Sequence, residues 1–446
     1  MAATIRDDDP ATGLDERSCG ALTPRGLLWA RATAGLLLVL VTVVVVGKFL
    51  HGDYKDAEVW YDAGRRVLDG RSLAYLPHYR YPPTFAVLVA PLAALGFGAF
   101  FFVWYGLNVA LFAGSLALAV RLVCSRTEDV FRTRYFWTPA LLVSAYAIDN
   151  LFLGQTNILI MALLYWAYSD DMRGRQWRAG LPLGLAIAIK AFPAPLLAYY
   201  LYRLRLRAVA ATMLFCALFL FVVPAPARGL GRNAGEVRDW VERVAAPYLS
   251  RGEAGDWGQH GVDLGNQSLP AVARRFLTAV DSQVMARERA PLHVNIADLS
   301  ERAVNAIVLA AFAALGIVFL WACGLRRPPS RLGLAAEYGL ATALLLLVSA
   351  LSWTYFLVML ALPLAVVLRL MDMNGLQGRT RTALRVALWG LGLATVLMVS
   401  DYARAAGNLC WAMVLLFLAL AHASRRLRHL PPSASPDESW VTRVPG

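Results

Sequence analysis

Leu27-Leu28-Trp29-Ala30-Arg31-Ala32-Thr33-Ala34-Gly35-Leu36-Leu37-Leu38-Val39-Leu40-Val41-Thr42-Val43-Val44-Val45-Val46 carries one charge, Arg31, in twenty residues. A helix of that length matches the hydrocarbon thickness of a bilayer, whereas a buried core helix is usually shorter and less uniformly apolar. The run follows 26 polar-rich residues with no small-residue cleavage site, so it reads as a retained anchor and not a signal peptide. Similar apolar runs of about 17 to 25 residues recur to the end of the chain. They predict an all-α polytopic membrane protein.

Composition agrees. The 446 residues are 58% hydrophobic and only 16% charged, with mean hydropathy +0.52; soluble domains carry about one-quarter charged residues. The formal charge of +13 does not point to nucleic acid. Arginines cluster in short connectors at 121–134, 170–178, 203–207, 326–331, 379–385 and 425–428, the pattern of cytoplasmic loops. With all six inside, the acid-rich loop after the first run, the turn from Asp149 to Asn157 and the segment 227–302 lie outside. The five cysteines are scattered, and neither a metal site nor a disulfide framework is visible.

About twelve crossings are expected by this threading, with outer-face loops carrying the site. The divisions are a cytoplasmic tail 1–26, a transmembrane module 27–225 with first outer loop 48–83, a long outer segment 226–302, C-terminal helices 303–423 and a basic cytoplasmic tail 424–446. Two stretches resist simple threading. Residues 178–203 have arginines at both ends but are too short for two crossings. A pair of short helices meeting near Lys190-Ala191-Phe192-Pro193-Ala194-Pro195 fits better, since irregular backbone at membrane depth is tolerated where it lines a cavity. Residues 82–95 are apolar but proline-broken and read as a segment dipping from the outer face. An alternative threading makes 82–98 a full span and 178–203 one long helix, and puts 121–134 outside.

The first outer loop is the richest in chemistry. Between Gly52 and Asp62 it packs four carboxylates, Asp53, Asp56, Glu58 and Asp62, with three aromatics. A helix over 56–68 would set Val59, Trp60, Ala63 and Val67 along one apolar stripe and Asp56 near its N-terminus. Carboxylates there do either proton chemistry or capping and pairing with Arg65 and Arg66. Lys190 is a cation at membrane depth, where insertion costs roughly 3 kcal/mol and a partner or cavity is the rule; an anionic lipid phosphate or a carboxylate would suit it. Gly154-Gln155-Thr156-Asn157 suits a sugar or phosphate, or simply caps a helix. Asn266 and Gln267, followed by Arg274 and Arg275, read either as a phosphate grip or as an ordinary loop. Ser352-Trp353-Thr354-Tyr355-Phe356 is otherwise an interfacial belt. The histidines lack ligand spacing, so no metal and no other cofactor is expected; His78 lies close enough to the acidic loop to reach a site there.

Taken in order, these motifs resemble the GT-C superfamily of polytopic glycosyltransferases, and glycosyltransferase family 87 within it. The residues are Asp56-Ala57-Glu58-Val59-Trp60-Tyr61-Asp62-Ala63, Gly70, Tyr75, Tyr81-Pro82-Pro83, Gly154-Gln155-Thr156-Asn157, Gly180 to Lys190 with Pro193, Asn266-Gln267-Ser268-Leu269, and Ser352-Trp353. The set covers about residues 30 to 370. The resemblance implies a GT-C-like bundle in the plasma membrane with its active site on the extracytoplasmic face. It implies transfer of mannose or another hexose from a polyprenyl-phosphate donor to a lipid or glycan acceptor, with inversion. Asp56 would be the general base, with Asp53 next in line, and Gln155, Asn157, Lys190, Asn266, Gln267, Arg275, His78 and Tyr355 would bind substrate. The chain departs from the family after Ser352-Trp353: members often carry histidines where Thr354-Tyr355-Phe356 stands here. A lipid or solute transporter is the competing class, although no internal repeat is evident.

Overall fold

The computed structural model describes residues 19–430 except 75, 125–128, 247–260, 286–288, 327, 329 and 374. Tyr75, Arg126, His260, Arg327 and most of both tails fall outside the described residues. What is described is helical; β-pairing among these residues is confined to the isolated bridges Ala21 to Thr133 and Asn266 to Trp353.

Helix α1 (Pro24–Leu50) starts where the sequence supplies a cap. The Thr23 hydroxyl accepts from Gly26 N, and Pro24 occupies the first turn, where its missing N–H costs nothing. Its side chains mostly face outward, Trp29 at 73% exposure and Leu36 at 61% among them. That much apolar exposure is the mark of a lipid-facing surface. Among the described residues, eight helices are long and apolar enough to cross a membrane, or nine if the bent pair α5 (Arg134–Leu142) and α6 (Ser144–Leu153) counts as one span. Two of them, Arg331–Val348 and Thr354–Met371, form the protein-wrapped centre, being 83% and 78% buried.

The count falls short of the expected twelve for a physical reason. Several apolar stretches are too short to span alone. Helix α3 (Pro83–Ala93) has 11 residues and packs on α2 (Asp56–Leu68). Helices α7 (Asn157–Met172), α8 (Gln176–Ile189) and α9 (Leu196–Tyr202) have 16, 14 and 7 residues. Between α8 and α9 the chain breaks at Lys190, whose backbone is extended, and the prolines 193 and 195 follow. The break is braced by close helix packing. A Cβ at Gly180 would lie 2.4 Å from Ala211 Cβ, and one at Gly184 would lie 2.9 Å from Phe215 Cβ, so only glycine lets the helix 206–217 approach so closely.

The arginine connectors gather at one end of the bundle. Arg331 donates to Arg121 O, Arg203 to Gly324 O at 2.9 Å and Arg326 O at 3.1 Å, and Arg428 to Arg326 O at 2.8 Å. Arg203 and Arg428 both pair with the buried Glu337, Arg205 reaches Asp171 at 3.5 Å, and Arg134 pairs with Asp372. Removing one partner of the buried Glu337 pairs costs roughly 3–5 kcal/mol. All six connectors share this end, so the threading that sets 121–134 apart on the opposite face is not the one adopted. One link had no sequence signal: Cys19 and Cys124, 105 positions apart, form a disulfide at the same end. No local spacing announces a pair so distant. Leu22 N and Arg134 N also bond across to Arg132 O and Gly20 O at 2.9 and 2.8 Å, tying the entry of α1 to that of α5.

Candidate active site

At the other end, α2 is docked against the turn between α6 and α7. Gly154 sits there with φ +71°, a conformation that costs an L-residue but not glycine. A Cβ would also meet Ala57 Cβ at 2.9 Å. The indoles of Trp60 and Trp104 both donate to Gly154 O, at 2.8 and 2.9 Å. The apolar stripe of α2 supplies one of those indoles, so the packing that buries the helix also fixes the turn carrying Gln155, Thr156 and Asn157.

Three side chains of that turn reach three different elements. Gln155 donates to the Asp56 carboxylate. Thr156 shares a 2.8 Å hydrogen bond with the Tyr81 hydroxyl. Asn157 Oδ1 accepts from Lys190 Nζ at 3.0 Å. Burial pushes the Asp56 carboxyl above the usual carboxylate range, while the Gln155 hydrogen bond and the charges of Lys190 and His78 pull it back. Asp53 has a different fate. Lys48 at 2.8 Å and Lys55 at 3.0 Å grip it and hold it below that range, which leaves it a structural anion. Glu58 and Asp62 are exposed.

Lys190 has no carboxylate within ion-pair distance among the described residues. Its ammonium lies 4.0 Å from the centre of the Phe356 ring and 5.7 Å from that of Tyr81, cation–π contacts that partly replace lost hydration. Beside it, Asn157 Nδ2 is buried without a hydrogen-bond partner. A buried donor left open costs about 1–3 kcal/mol unless a ligand takes it. The site therefore sets a partly desolvated carboxylate within electrostatic reach of a buried lysine that makes no direct ion pair among the described residues, beside a spare amide donor. That set suits deprotonation of a hydroxyl on one side and capture of an anion on the other.

His78 and Tyr355 fall within electrostatic reach of Asp56. His78 is exposed, on backbone with φ +61°. Asn266, Gln267 and Arg275 are not part of this group, and their chemistry is spent elsewhere. Arg275 is fully buried and donates to Ala405 O at 2.7 Å, Asp263 O at 2.9 Å and Asn266 O at 2.8 Å. Asn266 bonds Ala350 O and Gly261 O and accepts from Ser352 N. Gln267 bonds Leu264 O and Arg404 O. With these polar atoms bonded to main chain, the three residues brace the Ser352 segment. Arg274 lies near Asn305 and Glu301 instead.

Sequence reasoning missed the Tyr81–Thr156 link and the bond from Thr354 to Asp149. Both residue pairs stood inside stretches already singled out, but which side chains meet depends on tertiary packing, which no spacing reveals.

A family model described as glycosyltransferase family 87 matches residues 79–350. Among curated proteins, the chain is similar to the polyprenol-phosphate-mannose-dependent alpha-(1-2)-phosphatidylinositol mannoside mannosyltransferase of Mycobacterium tuberculosis, at 31% identity over 41% of this chain and 48% of that protein. It is 29% identical to the corresponding pentamannoside mannosyltransferase of that species, over 30% of each chain. An alpha-(1->3)-arabinofuranosyltransferase of the same species matches at 30%, over 31% of this chain and 32% of the relative. The match thus spans less than half the length of these relatives. No solved structure gives a significant match.

Proposed function

The chain belongs to glycosyltransferase family 87, and from that premise we propose that it is a membrane glycosyltransferase using a polyprenyl-phosphate sugar as donor. Its acceptor is a lipid or glycan, the sugar is mannose or another hexose, and transfer occurs on the outer face of the plasma membrane. The placement of the Asp56 group at the end opposite the arginine connectors supports that face, since arginine-rich loops stay inside.

In this reading the Asp56 carboxylate takes the proton of the acceptor hydroxyl as its oxygen bonds to the anomeric carbon. The bond from that carbon to the phosphate oxygen breaks on the opposite side, its electron pair leaves with the phosphate, and the configuration inverts. A phosphate needs no proton to leave; the Lys190 ammonium and the open Asn157 amide offset its developing charge. A base with its carboxyl raised toward working pH suits the task better than an ordinary aspartate. Thr354, Tyr355 and Phe356 replace the histidines common in the family, so cationic contact with the donor falls to Lys190.

The observation that carries the proposal is the Asp56–Gln155 and Asn157–Lys190 arrangement around one turn. Its test is incubation of the purified chain in nanodiscs with polyprenyl-phosphate mannose and an extract of membrane glycolipids, followed by lipid mass spectrometry. A product heavier by one hexose is expected. Absence of transfer, with movement of the lipid between leaflets of vesicles instead, would favour a transporter.

A further inference from the structure

Against the Gly154 turn lies a small cavity that the reaction as described leaves unused. Its lining comes from α1 (Val45), α2 (Ala57, next to Asp56), the helix α4 (Phe97–Val123) and the end of α6. Most of that lining is apolar, Phe101 and Leu151 included. Two asparagines break the pattern, Asn108 at 2% exposure and Asn150 at 0%.

Each asparagine donates through its amide nitrogen. Asn108 Nδ2 donates to Trp104 O at 2.9 Å, and Asn150 Nδ2 to Gln155 O at 3.1 Å. Those bonds fix which end of each amide is oxygen, and both Oδ1 atoms stay buried without a partner. The other polar side chains of the lining are committed: Trp104 Nε1 donates to Gly154 O, and the Tyr105 hydroxyl bonds Thr42. Two unmet acceptors are costly at membrane depth, where no lipid tail can donate to them. The cavity has room for about one water. Its occupant must bring two hydrogens to two oxygens. Water does so; a lipid hydroxyl brings only one, and two amide oxygens are too few ligands for calcium or magnesium.

We propose that this cavity holds one structural water donating to Asn108 Oδ1 and Asn150 Oδ1, and that the two asparagines are positioning residues for Asp56. The second half rests on the reading of Asp56 as base. From the water, both chains of bonds lead to the same turn. Asn150 grips Gln155 twice, through Nδ2 and through its carbonyl, which accepts from Gln155 N at 2.9 Å; Gln155 in turn donates to Asp56. Asn108 bonds Trp104, whose indole holds Gly154 O. A water joining the two amides therefore locks α4 to the end of α6 and keeps the Gln155 amide on the carboxylate.

The test has two arms. A cryo-EM map of the full chain in nanodiscs, fine enough to show other buried waters, should hold a peak within hydrogen-bond distance of both Oδ1 atoms. The second arm is the pH profile of kcat/KM in Asn108→Leu and Val45→Leu. The first removes one acceptor; the second pushes an extra methylene into the cavity and leaves both amides in place. Either change loosens Gln155 and so raises the Asp56 carboxyl, because that hydrogen bond favours the anion. The acid limb should move up by about half a pH unit, a fraction of one hydrogen bond, with the donor KM unchanged. A merely structural role would lower the thermal midpoint and leave the acid limb in place. The proposal is overturned if the map shows other buried waters but none here, or if both variants, folded, keep the wild-type acid limb. Failure of the base reading would look different: Asp56→Asn would keep its acid limb while the map still shows the water.

Discussion

Two polar clusters of similar composition have opposite characters. Around Gly154, Gln155 bonds Asp56 and Asn157 bonds Lys190, and the group keeps capacity in reserve: an ammonium without a direct ion pair, an open amide and a partly desolvated carboxylate. Around Ser352, Asn266, Gln267 and Arg275 bond main-chain carbonyl and N–H groups. Both contain amides next to a cation, and both stand beside family motifs. What separates a site from a brace is where the donors go. A side chain whose polar atoms are consumed by backbone stabilises the fold; one held by other side chains with capacity to spare can meet a ligand.

Substitutions can break that contrast. Asp56→Asn is expected to reduce transfer by about 10²–10⁴-fold, the usual weight of a positioned base, with the thermal midpoint nearly unchanged. Initial rates and thermal melts on the same preparation check it. Arg275→Met should do the reverse: it orphans several buried carbonyls and costs about 3 kcal/mol or more of stability, while the folded fraction turns over normally. If Arg275→Met melts like wild type but loses donor affinity, the brace is a site after all.

Smaller effects sharpen the first cluster. Lys190→Met should raise the donor KM by about 10-fold or more and spare the acceptor KM, because a charge-assisted contact to the phosphate is lost. Equal rises in both would place Lys190 in the structural class. Gln155→Leu removes a hydrogen bond that stabilises the Asp56 anion. The carboxyl should then rise further, and the acid limb of kcat/KM should move to higher pH with little loss at the plateau.

The sequence made much of this visible. The helix over 56–68 followed from spacing, and α2 runs Asp56–Leu68. The break near Lys190 followed from length and prolines, because 26 residues between arginines cannot cross twice. The common end of the arginine connectors followed from charge alone. Three things were beyond reach. The number of spans depends on where short apolar helices stop, which tertiary packing decides. The Cys19–Cys124 bond joins positions with no local relation. The role of Arg275 turned on which carbonyls surround it, and those come from residues 262–266 and 404–405, far apart in the chain. Residue type advertised chemistry in both clusters; only the hydrogen-bond partners told them apart.

The central claim is that Asp56 acts as the base. Its most direct test is the pH dependence of kcat/KM for transfer, per folded molecule, in wild type and Asp56→Asn. A base must be ionised, so activity should fall as pH drops through the folded-state value, and burial sets that value above the ordinary aspartate range. The account predicts such an acid limb in the wild type and a low, flat profile over the same range in Asp56→Asn. An acid limb that persists in Asp56→Asn with near-normal turnover would contradict it.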